Sequence, residues 1–345
     1  MKSIKFIVYL VFVSVVVISC KDDDVTVPDV EIRDRGEQQL ADSDSLIDYL
    51  STHYYNSDFF LTGTNHKYSD IIITELAEGE DVPTGHTLLL DAVETHTTTY
   101  EEADYEYYVL RLNQGGGDSP RFTDQVRVNY EGSLVETGEV FDGVVTPVDL
   151  LMQGVGFSGG VIRGWQLILS QFSTSSDFTL NNGIVEYNDY GLGMMFLPSG
   201  LAYFSGTASG TLPAYSNLIF KFELLQYNEV DHDGDGIPSY IEDIDANLDV
   251  LDDDTDEDFA PNYVDLDDDG DGVNTFDELM SNTYTVDTNV NEEEPVLDEG
   301  EYEVSRSETA GIITINTVKV VDSDNNGTPD YLQEDIAINY NEESE

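Results

Sequence analysis

The chain is short of positive charge, of cysteine and of long apolar runs. Thirteen Lys and Arg stand against 71 Asp and Glu, a formal net charge of −58 over 345 residues. Phosphate contacts need Lys and Arg, so no nucleic acid is expected as a partner. The single cysteine, Cys20, allows no intrachain disulfide, and the fold is expected to hold without covalent staples. The apolar run from Phe6 to Ile18 is too short to span a bilayer comfortably. There is one tryptophan, Trp165, and no Lys or Arg between Lys221 and Arg306. The excess of carboxylates favours cations as ligands, Ca²⁺ above all, because it takes oxygen donors.

What is present divides the chain. Lys2 and Lys5 before the apolar run give a signal-peptide layout over residues 1–19. The run ends Val17-Ile18-Ser19-Cys20, which resembles a bacterial lipobox, and Lys21-Asp22-Asp23-Asp24 resembles the acidic tag of surface lipoproteins in Bacteroidetes-type bacteria. The resemblance implies lipidation at Cys20 and a lipid anchor in the outer membrane, facing the periplasm or the cell surface. Residues 20–36 read as tether. Leu40, Leu46, Ile47, Leu50 and Tyr54 predict an amphipathic helix over residues 37–56. The rest of 37–99 is mixed, with strand-like Ile71-Ile72-Ile73 and Leu88-Leu89-Leu90, an insert before the neighbouring domain or a small cap on it.

Trp165, Ile168, Leu169 and Phe172 fall at the i, i+3, i+4, i+7 spacing of a helix with one buried face. Gly164 gives room beside the indole for backbone or ligand. Val126, Val128 and Tyr130 alternate as in a half-buried strand, as do Leu218, Phe220, Phe222 and Leu224. Tyr105, Tyr107 and Val109 alternate too, before Gly115-Gly116-Gly117 breaks the strand. One helix among several antiparallel strands is α+β.

Within residues 124–227 ordered pieces resemble the FKBP-type peptidyl-prolyl isomerase domain. They are Val126 to Gly132, Gly138-Glu139-Val140-Phe141-Asp142, Val161-Ile162-Arg163-Gly164-Trp165, Pro198 to Tyr203, and Leu212 to Phe220 leading into Glu223-Leu224-Leu225. The resemblance implies an antiparallel sheet wrapped around one short helix over residues 100–228. It implies proline-containing peptides and exported proteins as substrates, and catalysis without a cofactor. Carried over residue by residue, Trp165 is the floor under the proline ring, and Tyr130, Phe141, Val161, Ile162, Leu212 and Phe220 are walls. Asp142 lies beside a substrate carbonyl, Tyr203 donates its hydroxyl to one, and the backbone N–H of Ile162 does likewise.

The chain also departs from the family. Phe204 follows Tyr203 where the family usually has Gly. Gly143-Val144-Val145 replaces a basic residue, and position 148 is Val where an aromatic is common. Residues 173–193 carry an insertion rich in Asn, Gly and Tyr. These differences bear on rate more than on fold, and keep a catalytically weak peptide- or protein-binding module as an alternative.

Residues 229–345 are acidic and repetitive. Asp231, Asp233, Asp235 and Glu242 fit a twelve-residue calcium loop, and so do Asp267, Asp269, Asp271 and Glu278. Asp254, Asp256, Asp258 and Asp265 keep the acidic spacing with Phe259 at the glycine position. Asp322, Asp324, Asn326 and Asp330 keep the turn but have Gln333 at the last position. The strand before the first loop argues against a helix-flanked EF-hand. The array resembles thrombospondin type 3 repeats, a helix-poor, Asp-rich extension with structural Ca²⁺. A disordered acidic spacer, or a calcium-dependent surface adhesion protein, is the other reading of the same residues. Ile312-Ile313-Thr314-Ile315 predicts one strand, and the C-terminus reads as frayed.

Overall fold

The computed structural model describes residues 32–156, 159–206 and 212–342. The apolar run from Phe6, Cys20 and the acidic tag after it lie outside the described residues. Among the described residues no helix is long and apolar enough to cross a membrane.

Helix α1 spans Arg35–Thr52 and starts where the Asp34 side chain accepts the Glu37 N–H at 2.9 Å, an N-cap bond. It stops earlier than the periodicity predicts, because His53–Tyr55 is a strand, β1. β-Branched and aromatic residues around position 53 suit a pleated surface better than a helix end. Leu46 and Leu50 are fully buried, Tyr54 is half-buried, and Leu40 and Ile47 are exposed, so only two of the five predicted apolar positions are core. The buried face carries Gln38, Gln39 and Asp42 instead. Asp42 accepts the Ser199 N–H at 2.9 Å and the Ser199 hydroxyl at 2.6 Å, which compensates its burial.

Of the Ile71-Ile72-Ile73 run only Ile73 enters a strand, β2 (Ile73–Glu75), and Leu88-Leu89-Leu90 is split between β3 (Thr87–Leu88) and the short helix α2 (Leu89–Ala92). β1 pairs with both β2 and β3.

A six-stranded sheet comes next, made of β4 (Glu94–Tyr100), β5 (Ala103–Asn113), β6 (Gln125–Leu134), β7 (Val140–Leu151), β10 (Gly191–Leu197) and β11 (Leu218–Asn228). Its order is β4-β5-β10-β11-β6-β7, and each neighbouring pair is antiparallel. The sheet begins at Glu94, inside the segment that the sequence reading placed before the domain. Between β7 and β10 come helix α3 (Arg163–Leu169) and an exposed hairpin, β8 (Asp177–Asn181) and β9 (Ile184–Asn188). The hairpin turns on Asn182-Gly183, both with positive φ. It is the inserted part of 173–193, since Gly191 to Gly193 already belong to β10.

Both faces of this sheet are covered. Tyr105, Tyr107, Val109, Met195, Leu197, Phe220 and Phe222 share one core with Trp165 and Ile168 of α3. Tyr108, Leu110, Met194, Phe196 and Ile219 share the other with Leu46 and Leu50 of α1. β10 and most of β11 are therefore buried on both sides, where alternation in β11 predicts a half-buried strand. α1 and the segment after it are the cover of the second face.

The acidic region is also folded. Among its described residues there is no α-helix; short 3₁₀ turns connect loops, and β12 (Met280–Asp287), β13 (Glu301–Thr309) and β14 (Ile312–Lys319) form a sheet in the order β12-β14-β13. The Ile312 run is thus its central strand. Tyr263 donates its hydroxyl to the Gly154 carbonyl at 3.0 Å, and the His232 ring meets the Gln153 carbonyl at 3.0 Å. Phe122 packs with Val250 and Tyr263. These contacts place the region in one compact unit, Asp34–Glu345. The last residues, 343–345, where fraying is predicted, lie outside the described residues; just before them Tyr340 donates to Asp330 at 2.6 Å, and the Asn341 amide reaches the Phe276 and Leu279 carbonyls at 3.0 Å.

Candidate active site and acidic loop array

Helix α3 is capped at Ile162, whose carbonyl accepts the Trp165 N–H at 3.0 Å. Its predicted stripe is core, with Trp165, Ile168, Leu169 and Phe172 all buried, although the helix ends at Leu169 and Phe172 lies in the turn beyond it. Gly164 is small for a different reason from the one its place in the motif suggests. A Cβ there would lie 2.4 Å from the Leu197 side chain, so the space serves helix-on-sheet packing rather than a ligand.

The Trp165 ring meets Tyr130 edge-on at 5.3 Å and Phe220 at 5.2 Å, and Phe220 meets Phe141 edge-on at 5.7 Å. Aromatic pairs favour such edge-to-face geometry. Gly132 in β6 makes the cluster possible: a Cβ there would stand 2.6 Å from Phe220 and 2.9 Å from Phe141. Val161 and Ile162 pack partly buried against the same core, as does Tyr203, and Leu212 is buried within it.

Asp142 is exposed and held from two sides. The Tyr130 hydroxyl donates to one oxygen at 2.8 Å and the Gly143 N–H to the other at 2.8 Å. The sequence reading makes Tyr130 a wall only; in the fold it also orients Asp142. Nothing in spacing shows this, because strand register brings β6 and β7 together. Burial raises the Tyr130 phenol, and its bond to Asp142 adds to the shift. Burial also raises the Tyr203 phenol, with the Asp142 charge adding to it. Both hydroxyls therefore stay protonated donors at neutral pH.

Asp142→Ala is expected to cut kcat/KM for an X–Pro peptide about tenfold, about 1.4 kcal/mol of transition-state stabilisation. The site is exposed, so the melting curve followed by circular dichroism should barely move. An unchanged rate would remove Asp142 from the site.

Phe204, where the family has glycine, has φ +47° and lies in the left-handed region. Packing holds it there. Its ring meets Tyr215 edge-on at 5.1 Å, and the Arg35 guanidinium of α1 sits 4.3 Å from its centre. Arg35 also donates to the Gly200 carbonyl at 3.2 Å. Together with Asp42 on Ser199, α1 thus braces the segment that carries Tyr203.

The acidic loops share one backbone design. In each, the first Asp accepts the N–H five residues on: Asp231 from Gly236 at 3.0 Å, Asp254 from Phe259 at 3.0 Å, Asp267 from Gly272 at 3.1 Å and Asp322 from Gly327 at 2.9 Å. A further copy is present, with Asp243 accepting from Leu248 at 2.9 Å. All five accepted residues have positive φ, Leu248 and Phe259 included. The Asp243 copy has a weaker sequence signal than the others, because Asn247 replaces the third Asp and Leu248 replaces the glycine together.

Carboxylate oxygens gather within 4.8 Å of one another in Asp231/Asp233/Asp235, Asp254/Asp256/Asp258 and Asp267/Asp269/Asp271, and also in Asp243/Asp245/Asp253 and Asp235/Glu242/Asp268. The last two sets were not predicted. Glu278 is buried, with one oxygen lacking a hydrogen-bond partner. Asp265 uses its Oδ1 on the Leu266 and Asp267 N–H groups. The fourth predicted loop differs. Asp330 accepts the Ser323 N–H at 2.8 Å and the Tyr340 hydroxyl, so it acts as a structural brace. Asp322 and Asp324 accept backbone N–H groups, and the Asn326 amide donates to Asp324 and Gln333.

The remaining loops fit a divalent cation on their own electrostatics. Asp233, Asp235, Asp254, Asp267, Asp269 and Asp271 each keep a buried carboxylate oxygen with no hydrogen-bond partner. Burial, then neighbouring carboxylates, push Asp233 up to about 8 and Glu278 up to about 8. A hard cation with oxygen ligands removes that repulsion.

The site is thus a short helix that presents tryptophan to a tyrosine–phenylalanine cluster on one face of a six-stranded antiparallel sheet. The chain is 31% identical over 126 residues to FK506-binding protein 1 of Aspergillus oryzae, covering 34% of this chain and 94% of that one. It is 33% identical over 118 residues to the FKBP-type 22 kDa peptidyl-prolyl cis-trans isomerase of Escherichia coli K12, covering 33% of this chain and 47% of that one. The chain belongs to the FKBP-type peptidyl-prolyl cis-trans isomerase family, and it spans about half the length of the E. coli relative. A solved Pseudomonas syringae peptidyl-prolyl cis-trans isomerase aligns at 21% identity and a TM-score of 0.30, over 40% of this chain and 82% of that one. Residues 232–304 match the family described as BamM C-terminal.

Proposed function

We propose that the protein is a prolyl isomerase that assists folding of exported proteins, held to the outer membrane through a lipid on Cys20 and stiffened by Ca²⁺ in its acidic region. The observation that carries the enzymatic part is the Trp165–Tyr130–Phe220–Phe141 cluster, with Asp142 fixed by the Tyr130 hydroxyl.

An X–Pro amide rotates over a barrier of ~18–20 kcal/mol, because rotation breaks amide resonance. The twisted amide has lost its charge-separated form, so an apolar pocket favours it over the planar ground state. Trp165 supplies the floor for the proline ring, and Phe141, Val161, Ile162, Leu212 and Phe220 exclude water around it. Tyr203 donates to a substrate carbonyl, and Asp142, oriented by Tyr130, polarises the groups beside it. No bond is broken and no proton need move. A coupled assay, in which a protease cleaves only the trans X–Pro peptide, tests this on the full chain. A rate above the uncatalysed one supports it. A rate equal to it, with peptide still bound, favours the binding-module reading that Phe204 and Gly143-Val144-Val145 keep open.

The residues that would hold Ca²⁺ are those of the loops starting at Asp231, Asp243, Asp254 and Asp267. The ion there supplies charge neutralisation and cross-links, as in the thrombospondin type 3 repeats that the array resembles, and takes no part in isomerisation. Anchoring is tested by Cys20→Ser, which should move the protein from the membrane fraction to the soluble fraction. A mutant that still sediments with membranes contradicts the anchor.

A further inference from the structure

We propose that Asp235, Glu242 and Asp268 together hold a Ca²⁺-type divalent cation inside the protein, joining the first acidic loop to the one that starts at Asp267. This rests on the calcium reading of the loops and adds a site that neither loop contains by itself.

Asp235 and Glu242 come from the first loop and Asp268 from the loop that starts at Asp267, and one oxygen of each lies within 4.8 Å of the others. Ca²⁺ binds oxygen at 2.3–2.6 Å, so ligands of one ion stand up to about 5 Å apart. Burial is nearly complete, with exposures of 1% for Asp235, 0% for Glu242 and 1% for Asp268. Neither oxygen of Glu242 has a hydrogen-bond partner, and neither oxygen of Asp268 has one. Asp235 accepts the Ile237 N–H at its Oδ1, 2.8 Å away, and its Oδ2 has no partner. Five buried carboxylate oxygens without donors are a large desolvation cost unless a cation meets them.

Position in the loop design makes Asp268 distinctive. In four of the five loops the second residue donates its N–H to a buried side chain seven residues on: His232 to Ser239, Thr255 to Asn262, Asp268 to Thr275 and Ser323 to Asp330. The backbone role is the same in all four, and only Asp268 brings a carboxylate to it. Its side chain is therefore not required by the turn. Glu242, the twelfth residue of the first loop, would ordinarily close that loop's own ion. Here Asp231 and Asp233 gather with Asp235 as one set, and Glu242 and Asp268 gather with Asp235 as another. Asp235 is the shared ligand of two neighbouring ions.

Native mass spectrometry of the full chain in Ca²⁺ tests this by counting ions. Asp268→Asn should bind one ion fewer than wild type and keep the others. Asp268→Ser is the second variant, and the loop accepts serine at this place in Ser323. A wild type that binds Ca²⁺ while both variants keep the full count would overturn the shared site and leave the loop ions standing. That outcome fits three carboxylates sharing protons. A wild type that binds no Ca²⁺ would overturn both readings. Tb³⁺ luminescence lifetimes of the wild-type chain in H₂O and D₂O need no variant. The enclosed ion should appear as a population with few or no bound waters, and lifetimes showing several waters at every site would contradict it.

Discussion

Trp165→Ala is expected to abolish isomerase activity and to lower the stability of the chain by about 3–5 kcal/mol, the usual cost of truncating a buried tryptophan. Its ring is 3% exposed and touches Tyr130, Phe220 and Phe222. The two losses have to be separated. Urea denaturation gives the first, and peptide isomerisation at a temperature where the variant is folded gives the second. Trp165→Phe is the companion variant: it keeps an aromatic floor, so it should recover much of the stability and part of the rate. If Trp165→Ala folds and still isomerises at the wild-type rate, the cluster is only core.

Chelation of Ca²⁺ has the second large expected effect, and on the proposed account it reaches beyond the acidic region. Each ion held at a hundred times its Kd stabilises the folded form by about 2.7 kcal/mol, so removing several should open the loops. The acidic sequence alone suggests that the isomerase domain would be indifferent. The fold argues otherwise. Tyr263 bonds Gly154, His232 bonds Gln153, and Arg163 donates to the Leu248 carbonyl within a loop that starts at Asp243. Gln153 and Gly154 follow β7, and Arg163 is the first residue of the helix that carries Trp165. Hydrogen exchange with and without chelator should show protection lost through 231–279 and also through 152–165. Loss confined to 231–279 would mean that the contacts do not transmit.

The pieces that the sequence made legible are those where one residue type does one job. The Trp165 stripe, the strands around it and the first Asp of four loops each follow from a period or a spacing. What stayed hidden depends on pairing between distant segments. Residues 37–99 leave an insert and a cap equally open in the sequence, because α1 buries Gln38, Gln39 and Asp42, and Asp42 finds its partner at Ser199. The Tyr130–Asp142 bond is a product of strand register. The copy beginning at Asp243 departs from the spacing twice, with Asn247 at the third carboxylate position and Leu248 at the glycine position, yet Leu248 takes the same positive φ. Asp330 accepts from Ser323 and Tyr340, a brace that its spacing does not reveal, because a carboxylate at ligand spacing can equally serve as one.

The most direct test of the central claim is exchange NMR on an X–Pro peptide with a catalytic amount of the full chain. It reads cis–trans interconversion without a coupling protease. Uncatalysed exchange takes tens to hundreds of seconds. The account predicts exchange cross-peaks between the cis and trans resonances on the sub-second to second scale, suppressed in Asp142→Ala. Resonances that broaden or shift on binding while no exchange cross-peak appears would show a pocket that grips proline without turning it, and would contradict the account.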